Sequence, residues 1–197
     1  MMTEHARPLR LVHVTLGLLA LLVCASCGDD DGGSASTPQV LADDIPVAHT
    51  PPGGYGAEFP APILAACTEP LVAGAPDLRG TWGVVAAERN GRPVVADDPV
   101  FSHVQRIEQC GNRLVVTAGG VVHDMRCDGT VENGVHDVAE FDFTTPITVV
   151  ATYENGVHTL RPVGVGGIEV TRHLEGAEMV WHYLRIVVRL RRIDVPA

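Results

Sequence analysis

Hydrophobic and polar positions alternate one by one along several short stretches of the chain after residue 77. Phe141 and Phe143 alternate with Glu140 and Asp142, and the same spacing recurs at residues 147–153. A β-strand points successive side chains to opposite faces, so these stretches predict strands with one buried face. One-sided burial is typical of antiparallel sheets, because parallel sheets are usually buried on both faces.

Turn signals separate these stretches at short intervals. Asn90-Gly91, Asn133-Gly134 and Asn155-Gly156 are Asn-Gly pairs, which supply the positive φ angles of a tight hairpin turn. The candidate strands are residues 81–87, 93–96, 104–109, 114–117, 121–126, 138–143, 147–153, 157–161, 168–174, 179–184 and 186–193. Two of them are expected to merge or vanish, which leaves about eight to ten.

An all-β meander leaves two sheet edges exposed unless its first and last strands pair and close the sheet into a barrel. We therefore predict an all-β domain over residues 77–197, built as a single antiparallel up-and-down β-barrel. No long helical period appears in this region.

One hairpin can be worked out residue by residue. A two-residue turn at Ala118-Gly119 would place Arg113 opposite Asp124, a favourable cross-strand ion pair. The side chains of His123 and Met125 then point to the other, apolar face. This face is expected to be the interior of the barrel.

The same register brings Cys110 opposite Cys127, and this predicts a disulfide between them in an oxidising compartment. Cys67 is a third candidate and competes for either partner. The pairing therefore stays open between these cysteines.

The first residues of the chain have the layout of a secretory signal peptide. Arg7 and Arg10 precede a mostly apolar stretch at 11–23, which is too short to cross a bilayer. A basic start, a short apolar core and small residues after it predict export, with residues 1–26 removed.

The residues at the cleavage point, Cys24-Ala25-Ser26-Cys27, resemble the lipobox of bacterial lipoproteins. The resemblance implies that the Cys27 thiol receives diacylglycerol and anchors the protein to a lipid bilayer of the cell envelope, in the periplasm or at the cell surface. The alternative is ordinary signal-peptidase cleavage after Ser26, which leaves Cys27 unmodified. Both interpretations predict an exported protein.

Residues 27–76 have the composition of a flexible linker. The stretch "GDDDGGSASTPQ" cannot bury a core, and prolines recur through the rest of the segment. Residues 60–72 are more apolar and are expected to dock on the domain, held there by Cys67.

Both ends of the predicted domain carry short motifs. "DLRGTWGVV", at residues 77–85, with Gly80 and Trp82 in the two key places, resembles the Gly-x-Trp opening of the group formed by lipocalins and related calycin barrels. "LEGAEMVWHYLRIVVRLRRI", at residues 174–193, is similar to its closing hairpin. The resemblance implies a calycin-like barrel in which Arg192 stacks on Trp82.

Charge and composition narrow the function classes. The formal net charge is −10, which argues against nucleic-acid binding and against electrostatic docking on anionic lipid. After residue 77 the chain has one serine, Ser102, and no lysine, and it contains no nucleophile elbow or phosphate loop. The histidines lack metal-ligand spacing. No cofactor or metal is therefore expected, and the sequence offers no positive sign of an enzyme.

Small closed barrels either fill their interior with side chains or hold one ligand. His123, Met125, Phe141 and Phe143 are the residues expected to line such an interior. We hypothesise that the barrel binds a small apolar or amphiphilic ligand. The alternative is an envelope protein-interaction module, an inhibitor or assembly factor, with a packed barrel and no small ligand.

Overall fold

Strands account for nearly all regular structure in the computed structural model, which describes residues 39–138 and 147–193. Two short 3₁₀ turns, Ala42–Asp44 and Pro99–Ser102, accompany them. Among the described residues, no helix has the length and apolar content of a transmembrane span. The strands are β1 (Gly80–Arg89), β2 (Arg92–Pro93), β3 (Val104–Cys110), β4 (Arg113–Ala118), β5 (Val121–Arg126), β6 (Val135–Val138), β7 (Ile147–Glu154), β8 (Val157–Pro162), β9 (Val170–Glu175), β10 (Glu178–Tyr183) and β11 (Ile186–Arg192).

The strands form one antiparallel sheet in the order β5-β4-β3-β1-β11-β10-β9-β8-β7-β6, with β2 paired to β1. Strands that are adjacent in the chain are mostly adjacent in the sheet. β1 also pairs with β11, so the first and last strands are joined by hydrogen bonds. At the other junction, the Arg126 amide donates to the Asn133 carbonyl at 2.9 Å, next to β6. The result is a nearly closed up-and-down barrel, which confirms the fold class predicted from the sequence.

The β4–β5 hairpin keeps the predicted faces but turns one residue later. Its turn is Gly119-Gly120, with φ angles of 57° and 88°. Two glycines adopt these angles more easily than Ala118 followed by a glycine would. Because the opposed pairs shift by two residues, Val116 faces His123 and no side chain changes face.

Large side chains fill much of the barrel interior. The biggest fully buried apolar ones on the strands are Trp82, Ile107, Leu114, Met179 and Leu190. They come from β1, β3, β4, β10 and β11, so the core ties the first strands of the meander to the last.

The N-terminal segment, defined here as residues 39–72, packs on the outside of β3–β5. Ala42 and Leu64 form a second apolar cluster with Cys110, Val115 and Val122, all under 9% exposed. The outer face of this part of the sheet is apolar and needs a cover. Residues 39–59 therefore pack on the domain, where a flexible linker was predicted, and residues 60–72 dock on it through Cys67 as expected.

Thr50 in the N-terminal segment occupies the edge of β5, where the path of paired strands ends. Its hydroxyl accepts from the Val122 amide at 3.0 Å and also contacts the Val122 carbonyl at 3.1 Å. Tyr55 donates its amide to the Gly120 carbonyl at 2.8 Å. Backbone groups of an otherwise open edge are thus satisfied without another strand.

The structure corrects the predicted disulfide. Cys110 bonds Cys67, with the two Cα atoms 6.2 Å apart, and Cys127 is a buried free thiol. Cys110 belongs to the outer cluster under the N-terminal segment, whereas Cys127 belongs to the interior core. The two side chains therefore lie on opposite sides of the barrel wall.

The predicted signal peptide and Cys27 lie outside the described residues, as do Phe141 and Phe143. Their assignments stay predictions.

Candidate functional site

The barrel has an open mouth at the end that carries the β10–β11 turn. The Pro99–Ser102 turn, the β8–β9 loop and the β10–β11 turn surround a depression of about 1120 Å³. Val100, Ile168 and Ile186 contribute apolar side chains to it. The entrance is therefore wide and partly apolar.

A smaller cavity of about 220 Å³ lies beside this mouth, on the inner faces of β4, β5, β9 and β10. Its lining combines apolar and polar side chains: Val116, Ala118, Val121, His123, Arg172 and Trp181. His103, Trp181 and Tyr183 line both the mouth and the cavity. The two spaces are therefore adjoining parts of one site.

Aromatic rings form the boundary between mouth and cavity. The His103 and Trp181 rings stack with centroids 5.0 Å apart and planes 22° apart. Tyr183 lies 5.4 Å from Trp181. Trp181 and Tyr183 are two positions apart on β10, and this spacing puts both rings on its inner face. The stack presents a flat apolar surface to any molecule that enters.

Arg172 brings a positive charge into the interior. Its Nε donates to Gln105 Oε1 at 3.0 Å, and its guanidinium carbon lies 5.4 Å from the Trp181 ring centroid. The cross-strand register pairs Arg172 with His158 on β8 and with Trp181 on β10. A polar row therefore crosses three strands of an otherwise apolar wall.

His158 is completely buried in this row. Burial, together with the charge of Arg172, holds its pKa well below 6.5, so the ring is neutral at physiological pH. Among the described residues, neither ring nitrogen has a hydrogen-bond partner, and the same holds for Gln105 Nε2 and Trp181 Nε1. Buried polar atoms of this kind usually bind a protein group, a water molecule or a ligand.

A second polar group lies on the inner faces of β3 and β7. Gln109 Nε2 donates to the Tyr153 hydroxyl at 2.8 Å, and Tyr153 also bonds the Cys127 thiol. Burial raises the pKa of Cys127 to about 12 and raises that of Tyr153 as well. Both groups are therefore protonated, and the thiol lacks the thiolate character of a nucleophile.

The residues predicted to bind a ligand have different surroundings. His123 lines the cavity and is 6% exposed. Met125 is a member of the packed core and is absent from the cavity lining. Sequence reasoning missed Arg172 and Trp181, although period 2 puts Arg172 on the apolar side of β9 and Trp181 in line with Met179.

Gly80, Trp82 and Arg192 form the contact that the calycin resemblance implies. The Arg192 guanidinium carbon lies 4.6 Å from the Trp82 ring centroid, and Trp82 Nε1 donates to the Leu78 carbonyl at 2.8 Å. Gly80 has a φ of +130°, and a Cβ there would meet the Arg192 side chain at 3.4 Å. The contact joins β1 to β11.

One group of potential metal ligands exists among the described residues: the sulfurs of Cys67 and Cys110 and a carboxylate oxygen of Glu69 lie within 4.8 Å of one another. The two sulfurs are bonded to each other in the disulfide. They are therefore not thiolates that could bind a metal ion.

No protein-family model matches the chain. No curated protein matches it either. Among solved structures, the human protein cRBP IV matches with 13% sequence identity and a TM-score of 0.46. The match covers 59% of this chain and 98% of that one.

Proposed function

We propose that this protein is an exported, membrane-anchored lipoprotein whose barrel binds a small apolar or amphiphilic molecule at its mouth. The observation that carries the binding proposal is the 220 Å³ cavity, which adjoins the wide mouth through His103, Trp181 and Tyr183. Ligand sites are typically concave and mostly apolar, with a few polar groups that fix orientation. The cavity is concave, and apolar side chains line it together with the polar groups of His123 and Arg172.

The distribution of polar groups supports an amphiphile with its polar end inward. His123 and Arg172 lie in the inner cavity, whereas Val100 and Ile186 lie at the mouth. An oxygen atom of the ligand would satisfy the Nε1 donor of Trp181, which lines the cavity and otherwise costs free energy. The apolar body would then lie against the aromatic rings and the mouth.

The packed core sets the size of the ligand. The interior away from the mouth is filled by residues such as Trp82, Leu114 and Met179, all fully buried. A ligand therefore occupies the mouth end, and a long molecule would extend out of the barrel.

The test begins with the purified protein, extracted into organic solvent and analysed by mass spectrometry for a stoichiometric small molecule. Ala118→Phe would fill part of the cavity, and we expect it to abolish recovery of that molecule. Val85→Phe is the matched control, because Val85 is 44% exposed. An empty extract from the unmodified protein, or equal recovery from both variants, would contradict binding and favour the protein-interaction module.

The anchor is proposed from the lipobox-like residues alone. Cells labelled with radioactive palmitate are expected to incorporate the label into the protein, and Cys27→Ala is expected to abolish it. Cys24→Ala is the matched control and should keep the label. Label that persists in the Cys27 variant would refute the assignment.

A further inference from the structure

The β8–β9 loop at the mouth has no polar side chain over residues 163–167, which read Val-Gly-Val-Gly-Gly. Val163 and Val165 are 48% and 49% exposed. Loops of water-soluble domains normally carry polar or charged side chains, so an apolar loop at the rim of an opening indicates a contact surface.

Leu184 adds a second apolar projection at the same rim. It is 57% exposed and has a φ of +54°, in a region that glycine normally occupies. Tyr183 pairs with Ile186, so Leu184 takes the first position of a two-residue turn. Nothing in the packing of the barrel favours an exposed leucine there.

Arginines flank this leucine. Arg185 completes the turn, and its carbonyl accepts the Asn90 amide at 3.0 Å, so the β1–β2 turn with Arg92 is adjacent. Among the described residues, the Arg92 and Arg185 side chains are exposed and have no carboxylate partner. An exposed leucine on a turn that carries one exposed arginine and adjoins a turn with another is complementary to acyl chains below lipid phosphates.

Two acidic groups near the rim are neutralised within the protein: Asp98 pairs with Arg89 at 3.0 Å and Glu169 pairs with Arg161 at 2.8 Å. Asp97 and Glu88 are exposed. Charges act over about 8–10 Å at physiological salt, so the local arginines count for more at this corner than the negative net charge of the whole chain.

We propose that the barrel mouth docks on a lipid bilayer, with residues 163–167 and Leu184 in the acyl-chain boundary and Arg92 and Arg185 on lipid phosphates. The docked mouth faces the membrane. This interaction surface includes the rim of the mouth, where Leu184 and Arg185 also line the depression, and it does not depend on whether the inner cavity holds a ligand.

The test places a tryptophan at the proposed contact in the full chain. Leu184→Trp is mixed with phosphatidylcholine–phosphatidylglycerol vesicles whose acyl chains are brominated at known depths. We expect the emission to shift to shorter wavelength and to be quenched. Val131→Trp is the matched control, because Val131 is 44% exposed in the β5–β6 connection at the opposite end. After subtraction of the signal of the unmodified protein, which contains Trp82 and Trp181, its added tryptophan should show neither effect.

Val165→Trp is a second reporter on the other loop, in case the turn does not tolerate tryptophan. Adding Arg185→Glu to either reporter is expected to reduce quenching in anionic vesicles. The proposal is overturned if neither reporter is quenched, or if Val131→Trp is quenched equally. It is also overturned if the reporter shifts without vesicles in proportion to protein concentration, which would mean that a second copy covers this corner.

Discussion

The Arg113 guanidinium binds both carboxylate oxygens of Asp124, with Nε–Oδ1 at 2.8 Å and Nη2–Oδ2 at 2.7 Å. The same guanidinium donates to the carbonyls of Ala42, Ile45 and Pro46 in the N-terminal segment. Both side chains of the pair are 2% exposed. One buried arginine therefore joins the β4–β5 hairpin to a segment about seventy residues earlier, and its hydrogen bonds offset part of the cost of burying the charges.

Arg113→Leu is expected to destabilise the protein by about 3–5 kcal/mol, because it leaves Asp124 buried without its cation. Urea unfolding, followed by circular dichroism, measures the change. Arg79→Leu is the control, since Arg79 makes an exposed pair with Asp77 and should cost at most about 1 kcal/mol. Equal effects of the two variants would show that Arg113 does not hold the N-terminal segment.

Loss of the Cys67–Cys110 disulfide is expected to lower the free energy of unfolding by about 2–4 kcal/mol, because the bridge closes a long loop of the unfolded chain. Cys67→Ser and Cys110→Ser should show this loss to the same extent. Cys127→Ser should leave the bridge intact, as judged by peptide mapping without reduction. A peptide that links Cys110 to Cys127 in the unmodified protein would refute the pairing.

Acid is expected to destabilise the barrel through His158. Its pKa is depressed in the folded state, so between the folded and unfolded pKa values the unfolded chain binds the additional proton. Stability is therefore lost as pH falls below about 6.5, by up to ~1.4 kcal/mol for each pH unit. Urea unfolding at several pH values between 7 and 5 measures this slope.

His158→Leu should reduce the slope of the free energy of unfolding against pH, because it removes the group that titrates. Leu160→Val is the control on the same face of β8, because it changes packing and leaves the titrating group in place. A slope unchanged by His158→Leu would mean that another group is responsible.

Arg192→Leu is expected to cost about 0.5–2 kcal/mol through the lost contact with the Trp82 ring, plus the hydrogen bonds to the Asp77 and Arg79 carbonyls. Near-ultraviolet circular dichroism should report the changed surroundings of Trp82. Arg191→Leu is the matched control, since the neighbouring Arg191 side chain is 65% exposed and pairs with Glu178. The contact plays no part in closing the barrel if both variants behave alike.

The sequence carried enough information for the barrel but not for its outer cover. Alternation assigned His123 and Met125 to the inner face correctly, because a shift of two residues preserves parity. The sequence also indicates that the outer face of the β4–β5 hairpin is buried, because Val115 and Val122 make that face apolar too. A hairpin that is apolar on both faces needs a covering layer on its outer face. The N-terminal segment provides this layer, but its proline-rich sequence has no periodic pattern that would predict this role.

The candidate site was predictable only in part, for a related reason. His123 follows from local alternation, whereas the His103–Trp181 stack joins residues far apart in the chain. Such a contact depends on how the barrel closes, which local patterns do not specify. The same holds for the choice of Cys67 over Cys127 as the partner of Cys110.

Thr50 and Val122 bond across 72 positions of the chain. During synthesis, the N-terminal segment emerges well before the hairpin that it covers, so it has no docking surface until β5 exists. Contacts between distant positions slow folding, because loop closure costs entropy before the contact forms. The residues that are made first therefore cannot cover this wall until the β4–β5 hairpin has formed.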